Sequence, residues 1–227
     1  MRYFTAAYFE FFEKLAANNT REWFTANRPR FEANVKVPFE TFVTDALNAL
    51  ADREPAYQDL TANQAIFRLH RDVRFSADKS PYKLGMSAVL SPRGKKSPVI
   101  ECYVQLGPGE SFFAGGMYAP DTEQLKRVRQ SIIGEPERLP KLLSAKAFVG
   151  RFGGIQGEEL KSAPRGMQEH VARAPLIRRK QLYFARPITR SQALGAGLIA
   201  EALKNYDAAE PVVHYLREAI GPEHRRR

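Results

Sequence analysis

Hydrophobic positions along the first 50 residues recur with a helical period. Phe4, Tyr8, Phe11, Phe12 and Leu15 fall at i, i+4, i+7, i+8 and i+11, with Glu10, Glu13 and Lys14 off the stripe, which predicts an amphipathic helix ended by Asn18 and Asn19. Thr20 is placed to cap a second helix carrying Trp23, Phe24 and Phe31, within which Pro29 should kink or split the chain. Pro38 suits the first turn of a third helix, whose apolar face is Phe39, Phe42, Val43, Ala46, Leu47 and Leu50. The period then changes. Residues 66–70, 85–91, 99–106 and 111–116 are short, alternating runs separated by Lys79-Ser80-Pro81, Ser91-Pro92-Arg93-Gly94 and Gly107-Pro108-Gly109, the signature of an antiparallel meander. After Pro120 a helical pattern returns: Asp121 is a cap, Leu125, Val128, Ile132 and Ile133 share a face, and a short helix surrounds Leu139, Leu142 and Leu143. Residues 181–187 read as one more strand, followed by a helix through Leu194, Leu198, Ala202 and Tyr206 and another through Val213, Leu216 and Ile220. Residues 150–180, rich in Gly, Pro and Arg, fit neither period.

Strands grouped between helices predict an α+β fold, an antiparallel sheet flanked by N-terminal and C-terminal helices. We expect one domain over residues 1–227: a helical part at 1–55, the sheet at 64–118, helices and an irregular segment at 120–180, and a strand with C-terminal helices at 181–221. At 227 residues, with 44% hydrophobic and 26% charged residues, the chain is ordinary globular material. The one cysteine, Cys102, excludes an intrachain disulfide framework and fits a reducing, cytoplasmic setting. No apolar run approaches a membrane span, so no membrane partner is expected.

Charge is uneven. Of the net +10, residues 68–96 carry +6 and residues 173–190 another +6, leaving −2 for the remaining 180. Local positive charge focuses anionic partners. The densest polar segment runs from Arg68 to Lys83. Read as a strand, residues 66–75 would put Arg68, His70, Asp72 and Arg74 on one face and Phe67, Leu69, Arg71, Val73 and Phe75 on the other. Arginine forks suit phosphate or carboxylate, so this segment is expected to bind an anionic small molecule. Arg68, Arg71, Arg74, Lys79 and Lys83 would meet the anion, Asp72 and Asp78 would orient them, and Tyr82 and Arg129 would complete the wall. If there is catalysis, Asp78 is the candidate general base and Lys79 the electrostatic stabiliser. Two other readings stand beside this one: a nucleic-acid-binding module using both basic stretches, and an Arg–Asp lattice that only holds the loop.

Four stretches also resemble a known family: Asn18-Asn19-Thr20-Arg21-Glu22-Trp23-Phe24, Arg71-Asp72-Val73-Arg74-Phe75-Ser76-Ala77-Asp78-Lys79-Ser80-Pro81-Tyr82-Lys83, Gly115-Gly116-Met117-Tyr118-Ala119-Pro120 followed by Leu125 and Arg129, and Pro164-Arg165-Gly166. Together they are similar to domain of unknown function twenty-four sixty-one, from about Phe9 to Leu216. The resemblance implies a single-domain, uncharacterised protein and transfers no activity.

Other chemistry finds little purchase. Gly115, Gly116 and the Asp121 helix start could receive a phosphate, but Asp121 would repel it. A nuclease arrangement built from Asp72 or Asp78 with Glu101 lacks its lysine, because residue 103 is Tyr. Cys102 lies with Ile100, Val104 and Leu106 on an apolar strand face and reads as a core thiol. His70, His170, His214 and His224 lack ligand spacing, so no metal or cofactor is expected. Tyr82, Tyr103, Tyr118 and Trp23 could stack bases beside the basic strip, although most aromatic residues in such a chain belong to the core.

Overall fold

A computed structural model describes residues 1–221. The chain divides into two compact units, each described by itself. The first comprises Met1–Lys95, Cys102–Phe113 and Pro187–Lys204; the second comprises Lys96–Glu101, Ala114–Arg186 and the described residues from Asn205 onward. Strands β1 (Met86–Leu90), β2 (Ile100–Leu106), β3 (Phe112–Met117) and β4 (Leu182–Pro187) form one antiparallel sheet in the order β1-β2-β3-β4, with helices at both ends of the chain: an α+β fold.

In the first unit, α1 (Ala6–Ala17) and α2 (Arg21–Ala26) start where the pattern predicts, and the Thr20 hydroxyl accepts the Trp23 amide at 3.2 Å. Asn27 ends α2, so Pro29 lies in the first turn of the next helix, α3 (Arg28–Phe31). Pro38 falls in the first turn of the third helix, as expected, but that helix does not begin afresh. A π-helical turn, Glu32–Lys36, joins α3 to α4 (Val37–Ala51). There Val37 donates to the Glu32 carbonyl, five residues back, and this widened turn admits a proline inside a continuous helical run. The predicted stripes meet in an aromatic core. Phe4 packs edge-on against Tyr8 at 4.7 Å and against Phe42 at 5.8 Å, and Phe11 lies 5.5 Å from Phe31. Phe12, Phe39 and Phe42 are completely buried, each worth about 1.5–3 kcal/mol relative to exposure. Two buried phenols tie this layer to strand carbonyls: Tyr8 donates to Leu106 at 3.1 Å and Tyr57 to Leu90 at 3.2 Å.

Strands β1 and β2 pair antiparallel, with Met86 opposite Leu106, Ala88 opposite Val104 and Leu90 opposite Cys102. These six are buried, and Cys102 is a core thiol. Ser87 opposite Gln105 and Val89 opposite Tyr103 alternate onto the other face.

In the second unit, α6 (Thr122–Gly134) is capped by Asp121 and followed by α7 (Arg138–Leu143) and α8 (Lys146–Phe152). The hydrophobic core of this unit includes Met117, Val128, Ile132, Phe148, Phe184, Val213 and Leu216. Glu101 is buried and pairs with Arg217. The end of the chain departs from expectation. After a short α9 (Arg190–Ala193), one helix, α10 (Leu198–Ile220), replaces the predicted two and contains Pro211. Asp207, Glu210, Pro211 and His214 are all exposed, so water can replace the hydrogen bond that proline removes. His224 and the Arg225–Arg227 run lie outside the described residues.

Candidate functional site

A capping box opens the segment. Thr61 and Gln64 each bind the other's backbone amide around α5 (Ala62–Ala65), and Ile66 then leaves the helix with extended backbone. Ile66 bridges Ala88, and the Phe67 amide donates to the Ser87 carbonyl at 2.9 Å. The predicted strand over residues 66–75 does not continue from there. The chain folds back on itself: Lys83 donates to the Leu69 carbonyl and Arg71 to the Pro81 carbonyl, each at 2.9 Å, and His70 bridges Tyr82. Residues 72–80 are the loop so closed. Strand alternation therefore fails beyond Arg71, and Phe75, predicted on an apolar face, is 96% exposed.

The loop uses up most of its own charges. Asp78 accepts the Ser80 amide at 2.9 Å and pairs with Arg71, which also donates to the Ser80 carbonyl at 3.3 Å. Asp72 takes Arg74 in a two-pronged contact, Nε at 3.0 Å and a terminal nitrogen at 2.8 Å. Lys79 donates to the Val73 carbonyl at 3.0 Å. Ser80, through side chain and backbone, and then Arg71 hold the Asp78 carboxyl far below the usual carboxylate range, while Arg74 lowers that of Asp72. A carboxylate stabilised to that degree is a weak base. Tyr82 is only 5% exposed. Its ring stacks on Phe24 at 4.3 Å, and Asn19 binds its backbone on both sides, accepting from the amide at 3.1 Å and donating to the carbonyl at 3.0 Å. Arg129, in the second unit, spends its guanidinium on the carbonyls of Ile177, at 2.7 Å, and Arg179, at 3.2 Å.

What remains uncommitted is a smaller group. Lys83 places its ammonium over the Phe67 ring, 5.3 Å from the centroid, and Lys95 places its own at 5.5 Å from the same ring while donating to the Ile66 carbonyl at 2.9 Å. Burial lowers the pKa of Lys83, and Arg68 lowers it further. Among the described residues none of Arg68, Lys83 and Lys95 forms an ion pair. The carboxylate that feels Arg68 is Asp72, already held by Arg74. Two ammonium groups thus share one ring, with Arg68 near enough to Lys83 to act on it, and none of the three has an ion-pair partner among the described residues. Lys95 was not singled out by sequence: it is 28 residues from Phe67, and only the return of the chain after β1 brings it there.

The second basic stretch is arranged differently. Arg178 and Arg179 both contact Glu159 at 3.1 Å, and Lys180 reaches Glu158 at 2.8 Å. The stretch has no acidic residue of its own in sequence, but the fold supplies its counter-ions from 158–159. The Gly115-Gly116 pair is a packing device. A Cβ at Gly115 would lie 2.7 Å from the Phe184 ring, and Gly116 has φ +89° against the Leu182 carbonyl. The start of α6 is self-capped, Asp121 and Gln124 exchanging hydrogen bonds at 2.8 Å. Among the described residues, no group of three or more His, Cys, Asp or Glu side chains is placed to hold a metal ion, and no helix is long and apolar enough to cross a membrane.

No curated protein and no solved structure matches the chain. A family of conserved hypothetical proteins does match it over residues 7–215, which include the Arg71–Lys83 loop, the Gly115-Gly116 pair and Arg129, and the chain therefore belongs to the family DUF2461.

Proposed function

We propose that the chain binds a phosphorylated or otherwise anionic ligand, and that Lys83 and Lys95 over Phe67, with the neighbouring Arg68, receive it. The observation that carries this reading is the half-buried Lys83 ammonium. It is desolvated, it neighbours Arg68, and among the described residues it has no carboxylate partner. Holding like charges together opposes folding unless something offsets it, and a bound anion would do so. Arg71, Asp72, Arg74, Asp78 and Lys79 then act as the brace of the adjoining loop, which supports part of the Arg–Asp lattice reading. No bond-breaking step is assigned to Asp78, whose low basicity argues against it.

The test is a titration with tripolyphosphate, followed by NMR of the backbone amides in low salt. The account expects perturbations centred on residues 66–69, 83 and 95 that disappear in Lys83→Gln. Saturating tripolyphosphate that leaves those signals in place would overturn it.

A further inference from the structure

Beside these cations runs a row of rings that are not core. Phe67 lies 6.2 Å from Tyr103, and Tyr103 lies 5.6 Å from Phe112 with ring planes 29° apart. All three are half-buried, in contrast to the sealed rings of Phe12, Phe39 and Phe42. Their origin is topological. Phe67 enters at the edge beyond β1, Tyr103 is on the face of β2 opposite to Cys102, Val104 and Leu106, and Phe112 opens β3. The Tyr103 hydroxyl donates to Gln105 at 2.9 Å, which fixes the middle ring, and burial raises its pKa, with Glu110 as the acidic neighbour. All these residues belong to the first unit.

We infer that this row, with Arg68, Lys83 and Lys95 at its Phe67 end, binds single-stranded nucleic acid, bases stacking on Phe67, Tyr103 and Phe112 and phosphates meeting the cations. The inference rests on the anion-binding reading above and names its ligand. Cations beside successive aromatic rings are the composition of single-strand sites, because every base offers a ring face and stacking tolerates any sequence. A duplex hides those faces in its own stack, and a lone nucleotide would engage one ring of three. The second basic stretch is not required, since Arg178, Arg179 and Lys180 are already engaged by Glu158 and Glu159.

The test measures fluorescence anisotropy of labelled oligo-dT and oligo-U against the full chain, with a hairpin duplex and thymidine monophosphate as competitors, over about 50–200 mM salt. Single strands should bind, with a log–log salt slope of about −2, at ~0.7 per phosphate neutralised by three cations. Tyr103→Leu and Phe112→Leu should each weaken binding about 5- to 100-fold, and Arg178→Gln should leave it unchanged. Displacement by the duplex or by the mononucleotide at equal phosphate concentration would overturn the inference, as would Leu variants that fold, by urea denaturation, and bind like the parent. Should those variants not fold, photocross-linking of bromouridine-substituted strands to the unaltered protein decides. Adducts on Phe67, Tyr103 or Phe112 support the site, and adducts elsewhere sink it. If tripolyphosphate perturbs Lys83 but no strand binds, this inference falls and the anion-binding reading stands. If neither binds, both fall.

Discussion

Lys83 and Gly116 illustrate how single residues carry opposite kinds of constraint. At Lys83 the fold accepts an electrostatic penalty, an ammonium desolvated beside Arg68, within reach of an anion from outside. At Gly116 the constraint is steric. The backbone takes φ +89°, and an added Cβ would press on the Leu182 carbonyl. Gly116→Ala should therefore lose about 2 kcal/mol or more of stability, read as a lower urea midpoint, while the same change at Gly109, which has open space around it, should leave the midpoint near its parent value. Neither constraint was legible from composition. Sequence marks Gly115-Gly116 as permissive backbone before a helix, but the need for glycine comes from β4 packing against β3, a long-range contact. Arg129 is a similar case: its part in the Pro120–Arg129 motif is evident in the chain, but its carbonyl partners at Ile177 and Arg179 lie in the stretch that no periodicity could assign.

Elements with a strong local signal formed where the pattern places them. The stripe from Phe4 to Leu15, the Thr20 and Asp121 caps and the alternation through β1, β2 and β3 all depend on neighbours within a few residues. The elements misread are the strand at 66–75 and the pair of C-terminal helices, which is the single helix α10. Residues 66–75 alternate like a strand, yet the Asp78–Arg71 and Asp72–Arg74 pairs hold a 72–80 loop that turns the chain back between Arg71 and Pro81, so only the 69–71 and 81–83 arms pair. Pro38 does stand in the first turn of α4, and what the sequence does not reveal is the π-helical turn that joins that helix to α3. Arg71→Met removes the Asp78 brace, so amide hydrogen exchange at residues 72–80 should quicken, while tripolyphosphate binding at Lys83 persists. Unchanged exchange would show that Asp78 and Ser80 hold the loop without Arg71, and loss of binding would place Arg71 in the site.

For the molecule as a whole, the two basic stretches that look equivalent in sequence, +6 each, differ in what surrounds them. In one, Arg178, Arg179 and Lys180 meet Glu158 and Glu159, and Arg190 meets Glu13. The other leaves Arg68, Lys83 and Lys95 without carboxylates among the described residues. Net charge counted along a chain cannot separate these cases, because counter-ions arrive from distant segments. With its folded-state pKa below the ordinary 10.5, Lys83 binds its proton less firmly than in the unfolded chain, so its contribution to stability rises with pH between the lowered value and 10.5. A bound anion reverses the shift by favouring the ammonium. The measurement that decides the central claim is thus the NMR titration of the Lys83 side chain, with and without saturating tripolyphosphate. The account predicts a midpoint below 10.5 in the free protein that moves upward when the anion is present. A midpoint indifferent to the anion would contradict it.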